Sequence, residues 1–132
     1  MASDAQPSWA NRHALVTGGA RGIGLAVTRA LLGAGAHVTV LGRTTVDPAS
    51  LVPQAAERLH AVAADVADAD AVARAFADAR RRFGPITLLV NNAGQATSAP
   101  ALKTDPALWQ QMLAVNLTGT WLCTQAALPD ML

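Results

Sequence analysis

The segment Thr17-Gly18-Gly19-Ala20-Arg21-Gly22-Ile23-Gly24 constrains the fold of this chain more than any other. It follows a strand-like run, His13-Ala14-Leu15-Val16-Thr17, and opens a stretch with helical apolar periodicity. Glycine has no Cβ and tolerates positive φ, so the connection can turn tightly and a ligand can lie against the main chain. The first turn of the helix leaves N–H groups unpaired and carries a partial positive charge at the same spot. Together these features bind phosphate or pyrophosphate. The spacing is Gly-x-x-x-Gly-x-Gly, with Gly18, Gly22 and Gly24 at the marked positions. Glycine alone also marks ordinary turns, and the strand–turn–helix context is what makes the pattern specific.

Strand and helix signals then alternate along the chain. The first strand is expected over 13–17. A helix follows over 22–34, with Ile23, Val27, Ala30, Leu31 and Ala34 on one apolar face and Gly35 as the C-terminal stop. His37 to Leu41 reads as the second strand. Asp47-Pro48 resembles a cap followed by proline at the first helical position, opening a short helix to about Arg58. Leu59 to Ala63 is a third strand. Asp68 or Asp70 caps a helix that buries Val72, Ala75, Phe76, Ala79 and Phe83. Ile86 to Val90 is the fourth strand, and Thr104-Asp105-Pro106 opens a long helix. Four apolar strands, each followed by a helix, predict an α/β fold: a doubly wound parallel sheet of Rossmann type with right-handed crossovers.

The chain has 132 residues, enough for one domain, and a net charge of +1. That charge gives no argument for nucleic acid or a membrane surface as partner. No apolar run approaches the ~18 residues of a membrane span. Residues 1–11 read as a short disordered lead-in without a signal pattern, and 12–132 as the folded domain. The single cysteine, Cys123, excludes a disulfide and a Cys-rich metal site, and no metal is expected. A reducing, cytoplasmic setting is the default. His13, His37 and His60 fall at separate strand positions and read as strand-edge residues. Arg80-Arg81-Arg82 reads as a solvated helix C-terminus, where cations offset the helix dipole.

With the glycine loop placed on a βαβ unit, the chain resembles the short-chain dehydrogenase/reductase family. Four features carry the resemblance: the loop at 17–24, Asp65-Val66 after the third strand, Asn91-Asn92-Ala93-Gly94 after the fourth, and Asn116 in the long helix. The likeness runs from about residue 12 to 132 and is similar to bacterial 3-oxoacyl thioester reductases in particular. It implies a hydride-transferring oxidoreductase acting between a nicotinamide cofactor and a ketone or secondary alcohol. It also implies cofactor contacts from Gly18, Arg21, Gly22, Ile23 and Gly24 in the loop, and from Arg43, Asp65, Val66, Asn91, Ala93 and Gly94. Asp65 would accept from the adenine amino group or cap its own turn. Asn91 would reach the ribose or hold the fourth strand to its neighbour, with Asn92, Ala93 and Gly94 shaping the backbone below. Thr17 reads as structural. The segment Gln95 to Leu102 would follow the nicotinamide side, where small apolar residues suit an acyl or aliphatic ketone. By the same resemblance a homodimer or homotetramer is expected, packed partly on residues 105–132.

NAD-binding folds carry an acid near the end of the second strand, ~20 residues after the loop, that bonds the adenosine ribose hydroxyls. Gly42 stands at that place here, with Arg43 next and Arg21 inside the loop. Loss of the carboxylate removes repulsion, and a guanidinium can grip a 2′-phosphate in two places. NADP is therefore expected over NAD.

The chain departs from the family in one respect. The resemblance implies a Tyr-x-x-x-Lys pair and an upstream serine as proton-transfer machinery. This chain has no tyrosine, its only lysine is Lys103, and its serines lie at 3, 8, 50 and 98. Of the four catalytic residues only Asn116 is present. The expectation is the N-terminal, cofactor-binding half of a reductase, the alternative being a non-catalytic nucleotide-binding or scaffolding fragment.

Overall fold

The computed structural model describes residues 8–94 and 99–132. Four parallel strands form one sheet in the order β3-β2-β1-β4: β1 His13–Thr17, β2 His37–Gly42, β3 Leu59–Ala63 and β4 Leu88–Val90. The helices between them are α1 Gly22–Gly33, α2 Pro48–Leu51 and α3 Ala69–Phe83. After β4 come α4 Pro106–Leu113 and α5 Gly119–Ala127, joined by a π turn at Ala114–Thr118. Side-chain alternation in β1 sends Leu15 to one face of the sheet and Ala14 and Val16 to the other. The Leu15 face packs on Val72, Phe76 and Ala79 of α3 and on Cys123 and Ala127 of α5. The opposite face packs on Leu32 of α1 and on Val52 and Ala55 beyond α2. This is the doubly wound arrangement that the alternating signals predict.

Capping explains where the helices begin. Asp47, Asp68 and Asp105 each accept from backbone N–H groups in the first turn of α2, α3 and α4. Gly35, at φ +101°, carries the chain away from α1. Cys123 is buried within the core, and burial pushes its thiol up to about 11, so it packs as a small apolar side chain.

Several expectations are corrected. The face of α1 turned to the protein is centred on Gly24, Thr28 and Leu32, spaced four apart; Val27 and Leu31 pack on the core as expected, while Ile23 is 77% exposed and Ala30 and Ala34 lie in solvent. The helix expected from 48 to 58 breaks at Val52, because Pro53 disfavours helical geometry before it; a 3₁₀ segment, Pro53–Arg58, follows. β4 is shorter than 86–90 because the Ile86 N–H is taken by the Asp130 carboxylate at 2.9 Å. Arg80 is not a solvated helix end. Its Nε bonds Asp130 at 2.7 Å and its Nη2 bonds the Ala126 carbonyl at 2.6 Å, tying α3 to the segment after α5. Residues 8–11, expected within a disordered lead-in, are fastened: the Trp9 N–H donates to Ala34 O at 3.2 Å and its ring packs on the core.

Candidate nucleotide site

The glycine loop lies at the C-terminal ends of β1, β2 and β4, beside the point where strand order reverses between β1 and β4. Open α/β sheets bind their ligands in that crevice. Thr17 is the hub. Its Oγ1 accepts from the N–H groups of Asn92 at 2.9 Å and Ala93 at 2.8 Å. Asn92 Nδ2 returns a bond to Gly18 O at 3.0 Å, and Gly18 N–H donates to Leu41 O at 2.8 Å. The loop and the Asn91–Gly94 tetrad therefore form one hydrogen-bonded unit, with Thr17 structural as expected.

The glycines in the loop do different jobs. Gly18, at φ +64°, faces the Asn92 amide and the Ala93 backbone. Gly24 packs directly on the Gly18 carbonyl and the Asn92 amide, leaving no room for a Cβ. Gly22, at φ +59°, has nothing within 4 Å of the place a Cβ would take. The loop is tight against the protein at Gly18 and Gly24 and open at Gly22. α1 starts there with no side-chain cap from Arg21 and no acidic residue in its first turn, unlike the Asp-capped α2, α3 and α4. Its leading N–H groups and partial positive charge therefore face the open side. The arrangement fits a pyrophosphate group.

Thr28 was not read from the sequence as part of this unit. It is fully buried, with its hydroxyl 3.1 Å from Gly19 O and 2.9 Å from Gly24 O, so it fixes the loop to α1. The Gly24-Thr28-Leu32 spacing is the signal that marks it.

The remaining candidates divide by position. Gly42 ends β2 with open space at its Cβ place, and the exposed Arg43 follows directly. Asp65 is exposed beyond β3 and its Oδ1 accepts the Ala67 N–H at 2.9 Å, so it caps its own turn. Val66 is buried against Gly119 of α5, where any side chain would collide with it. Asn91 Nδ2 donates to Thr124 Oγ1 at 3.2 Å and joins the end of β4 to α5. Asn116 lies in the π turn with its Oδ1 against Gly94, 2.9 Å from the place of a Cβ there. It is exposed. Of the Gln95–Leu102 segment, residues 95–98 lie outside the described residues.

A family model described as short chain dehydrogenase matches residues 12–132. The chain belongs to the short-chain dehydrogenase family. It is 37% identical over 123 residues to the 3-oxoacyl-[acyl-carrier-protein] reductase MabA of Mycobacterium tuberculosis H37Rv, covering 93% of this chain and 47% of that protein. It is 40% identical over 106 residues to the inactive 2-(S)-hydroxypropyl-CoM dehydrogenase 2 of Xanthobacter autotrophicus, covering 80% of this chain and 46% of that protein. Among solved structures, a short-chain dehydrogenase/reductase of Brucella melitensis superposes with a TM-score of 0.87 at 28% identity, over 94% of this chain and 53% of that one. The chain spans about half the length of the curated relatives it matches. Among the described residues, no helix is long and apolar enough to cross a membrane.

Proposed function

We propose that this chain is the cofactor-binding half of an NADP-dependent oxidoreductase that interconverts a ketone and a secondary alcohol. A 3-oxoacyl thioester is the favoured substrate class, after the mycobacterial relative. The observation that carries the reading is the glycine loop, closed against the protein at Gly24 and open at Gly22 above an uncapped helix start. The nicotinamide, when bound, supplies hydride chemistry; the protein supplies binding and orientation. Gly18, Arg21, Gly22, Ile23 and Gly24 would hold the pyrophosphate region. Asp65 and Val66 would border the adenine, and Asn91, Ala93 and Gly94 the ribose.

Arg43, directly after Gly42 at the end of β2, and Arg21, in the glycine loop, support NADP over NAD, since an NAD-binding fold carries an acid at the end of β2 and a guanidinium would favour a 2′-phosphate instead. NADPH is expected to bind more tightly than NADH. Arg43→Ala should weaken NADPH by roughly 1.5–3 kcal/mol, as for a lost charge-assisted hydrogen bond, and leave NADH nearly unchanged. Isothermal titration of both cofactors measures this, and equal affinities in the unmutated protein would sink the NADP assignment.

A second reading is a non-catalytic nucleotide-binding or scaffolding fragment. It is favoured by a chain without tyrosine whose one lysine, Lys103, lies before α4. Carbonyl reduction assayed on this chain, and on one extended to a downstream Tyr-x-x-x-Lys, separates the two. Binding without turnover in the short chain and turnover in the extended one supports the reductase reading. Absence of turnover in both supports the second.

A homodimer or homotetramer of the complete protein, in the cytoplasm, belongs to the same proposal. Trp109, Leu117 and Trp121 are each more than half exposed along α4, the π turn and α5, so core packing does not account for them. A second copy would cover them, and sedimentation velocity checks this.

A further inference from the structure

The end of the sheet opposite the glycine loop holds a group of residues that the nucleotide site does not use. Parallel register sets His13, the first residue of β1, beside His37, the first of β2, and pairs Thr39 of β2 with His60 of β3. Phe83, the last residue of α3, stands among all three imidazoles, with ring centroids 5.4, 4.8 and 6.2 Å from His13, His37 and His60. The sequence reading of separate strand-edge histidines is corrected here. His13 is 2% exposed, and the three rings share one aromatic neighbour.

The hydrogen bonds of His13 decide its protonation state. Nδ1 lies 2.9 Å from the Gly84 carbonyl, which can only accept, so Nδ1 carries the hydrogen. Nε2 of the neutral ring then accepts from the Thr39 hydroxyl at 2.7 Å. A second proton would turn Nε2 into a donor and force the buried Thr39 hydrogen out of that bond. It would also place a charge in the sheet among other basic groups. His37 faces it from β2, and His60 from β3. Arg82 lies 4.7 Å over the Phe83 ring from α3, and Arg58 is held on the carbonyls of Leu32 and Ala36 beside His37. Arg12, next in sequence, lies over Trp9. Two acids stand nearby, and Asp130 favours the charged form of the His13 ring. Asp78 of α3 holds His60 at 2.9 Å and Arg81 at 3.2 Å, and Asp130 holds Arg80 and the Ile86 N–H.

We infer that His13, set with His37 and Phe83, forms an acid-released latch that fastens the C-terminal end of α3 to the N-terminal ends of β1 and β2. Burial, with a smaller effect from His37 and His60, holds the His13 pKa below its ordinary value of 6.5, against the raising effects of the Gly84 carbonyl and Asp130. The unfolded chain therefore takes up this proton first as pH falls. The stability from neutral His13 is complete above about pH 6.5 and is lost progressively below it. Asp78 and Asp130 are held below the ordinary 3.8, so their stabilising effects are lost only in stronger acid. The interval below about pH 6.5 and above the carboxylate range thus belongs to His13.

Urea unfolding of the whole chain between pH 8 and 5, with an NMR titration of the imidazole protons, tests the latch. The unfolding midpoint should fall across that interval, and the His13 protons should titrate below 6.5. His13→Asn keeps an N–H toward Gly84 O and cannot titrate, so its midpoint should be lower at pH 8 but flatter with pH. His37→Gln removes one facing charge and should move the His13 titration upward; it serves if His13→Asn does not fold. A His13 ring that titrates at or above 6.5, or a His13→Asn profile as steep as the unmutated one, overturns the inference.

Discussion

Gly22→Val is expected to abolish cofactor binding while leaving a folded protein. Two facts about Gly22 separate the effects. Its φ of +59° lies in the left-handed region, so a β-branched residue there is strained by roughly 1–3 kcal/mol. Yet a Cβ at this position meets nothing within 4 Å, so the isopropyl group projects into open space rather than into the core. That space lies over the uncapped start of α1, where the pyrophosphate is proposed to sit. NADPH affinity should fall more than about tenfold, at least ~1.4 kcal/mol. Gly24→Ala gives the contrast. Its methyl group would run into the Gly18 carbonyl and the Asn92 amide, so the loop and the tetrad must part, and stability falls along with binding. Titration calorimetry beside urea denaturation distinguishes the two patterns. Undiminished NADPH affinity in a folded Gly22→Val protein would make the loop an ordinary turn.

What was legible in this chain is what is written locally. The glycine loop, the Asp68 and Asp105 caps and the apolar runs of β1 and β2 each announce themselves within a few residues. The buried face of α1 did not, because a search for apolar periodicity passes over Gly24 and Thr28 and is drawn to Ile23. Gly24 is buried because the loop packs on it, and Thr28 because its hydroxyl serves two loop carbonyls. Arg80 was misread for a related reason. Its partners, Asp130 and Ala126, lie 50 and 46 residues away in sequence and meet it only when α5 packs on α3. The histidines show the same limit. Parallel register brings positions 13, 37 and 60 together, and nothing local to any of them says so.

Asn116→Leu is expected to leave cofactor binding intact and to reduce turnover by ~10²-fold or more in a chain extended to carry the Tyr-x-x-x-Lys pair, as for loss of a general acid–base component. The helix that carries Asn116 is distorted where the residue stands. Ala114–Thr118 form a π turn, closed by the Gly119 N–H on the Ala114 carbonyl. Such turns shift a backbone carbonyl out of the regular ladder and recur at functional sites. Here the Asn116 carbonyl accepts the Thr120 hydroxyl at 3.0 Å, a side-chain bond that steadies the distorted turn. The side chain sits against Gly94, the last residue of the tetrad bonded through Thr17 to the glycine loop. Asn116 thus lies in the π turn beside the nucleotide site, and the role proposed for it, after the family resemblance, is a main-chain carbonyl holding a water that would link the catalytic lysine to solvent. Because the residue is exposed, leucine leaves the apolar core untouched and should lower stability little. Its branched side chain would press on Gly94 instead and displace the turn that aims the carbonyl. Single-turnover kinetics and cofactor titration on the same variant make the test. Near-normal turnover in a folded Asn116→Leu protein would leave the residue with a structural role only, whereas weakened NADPH binding would place it in the nucleotide site.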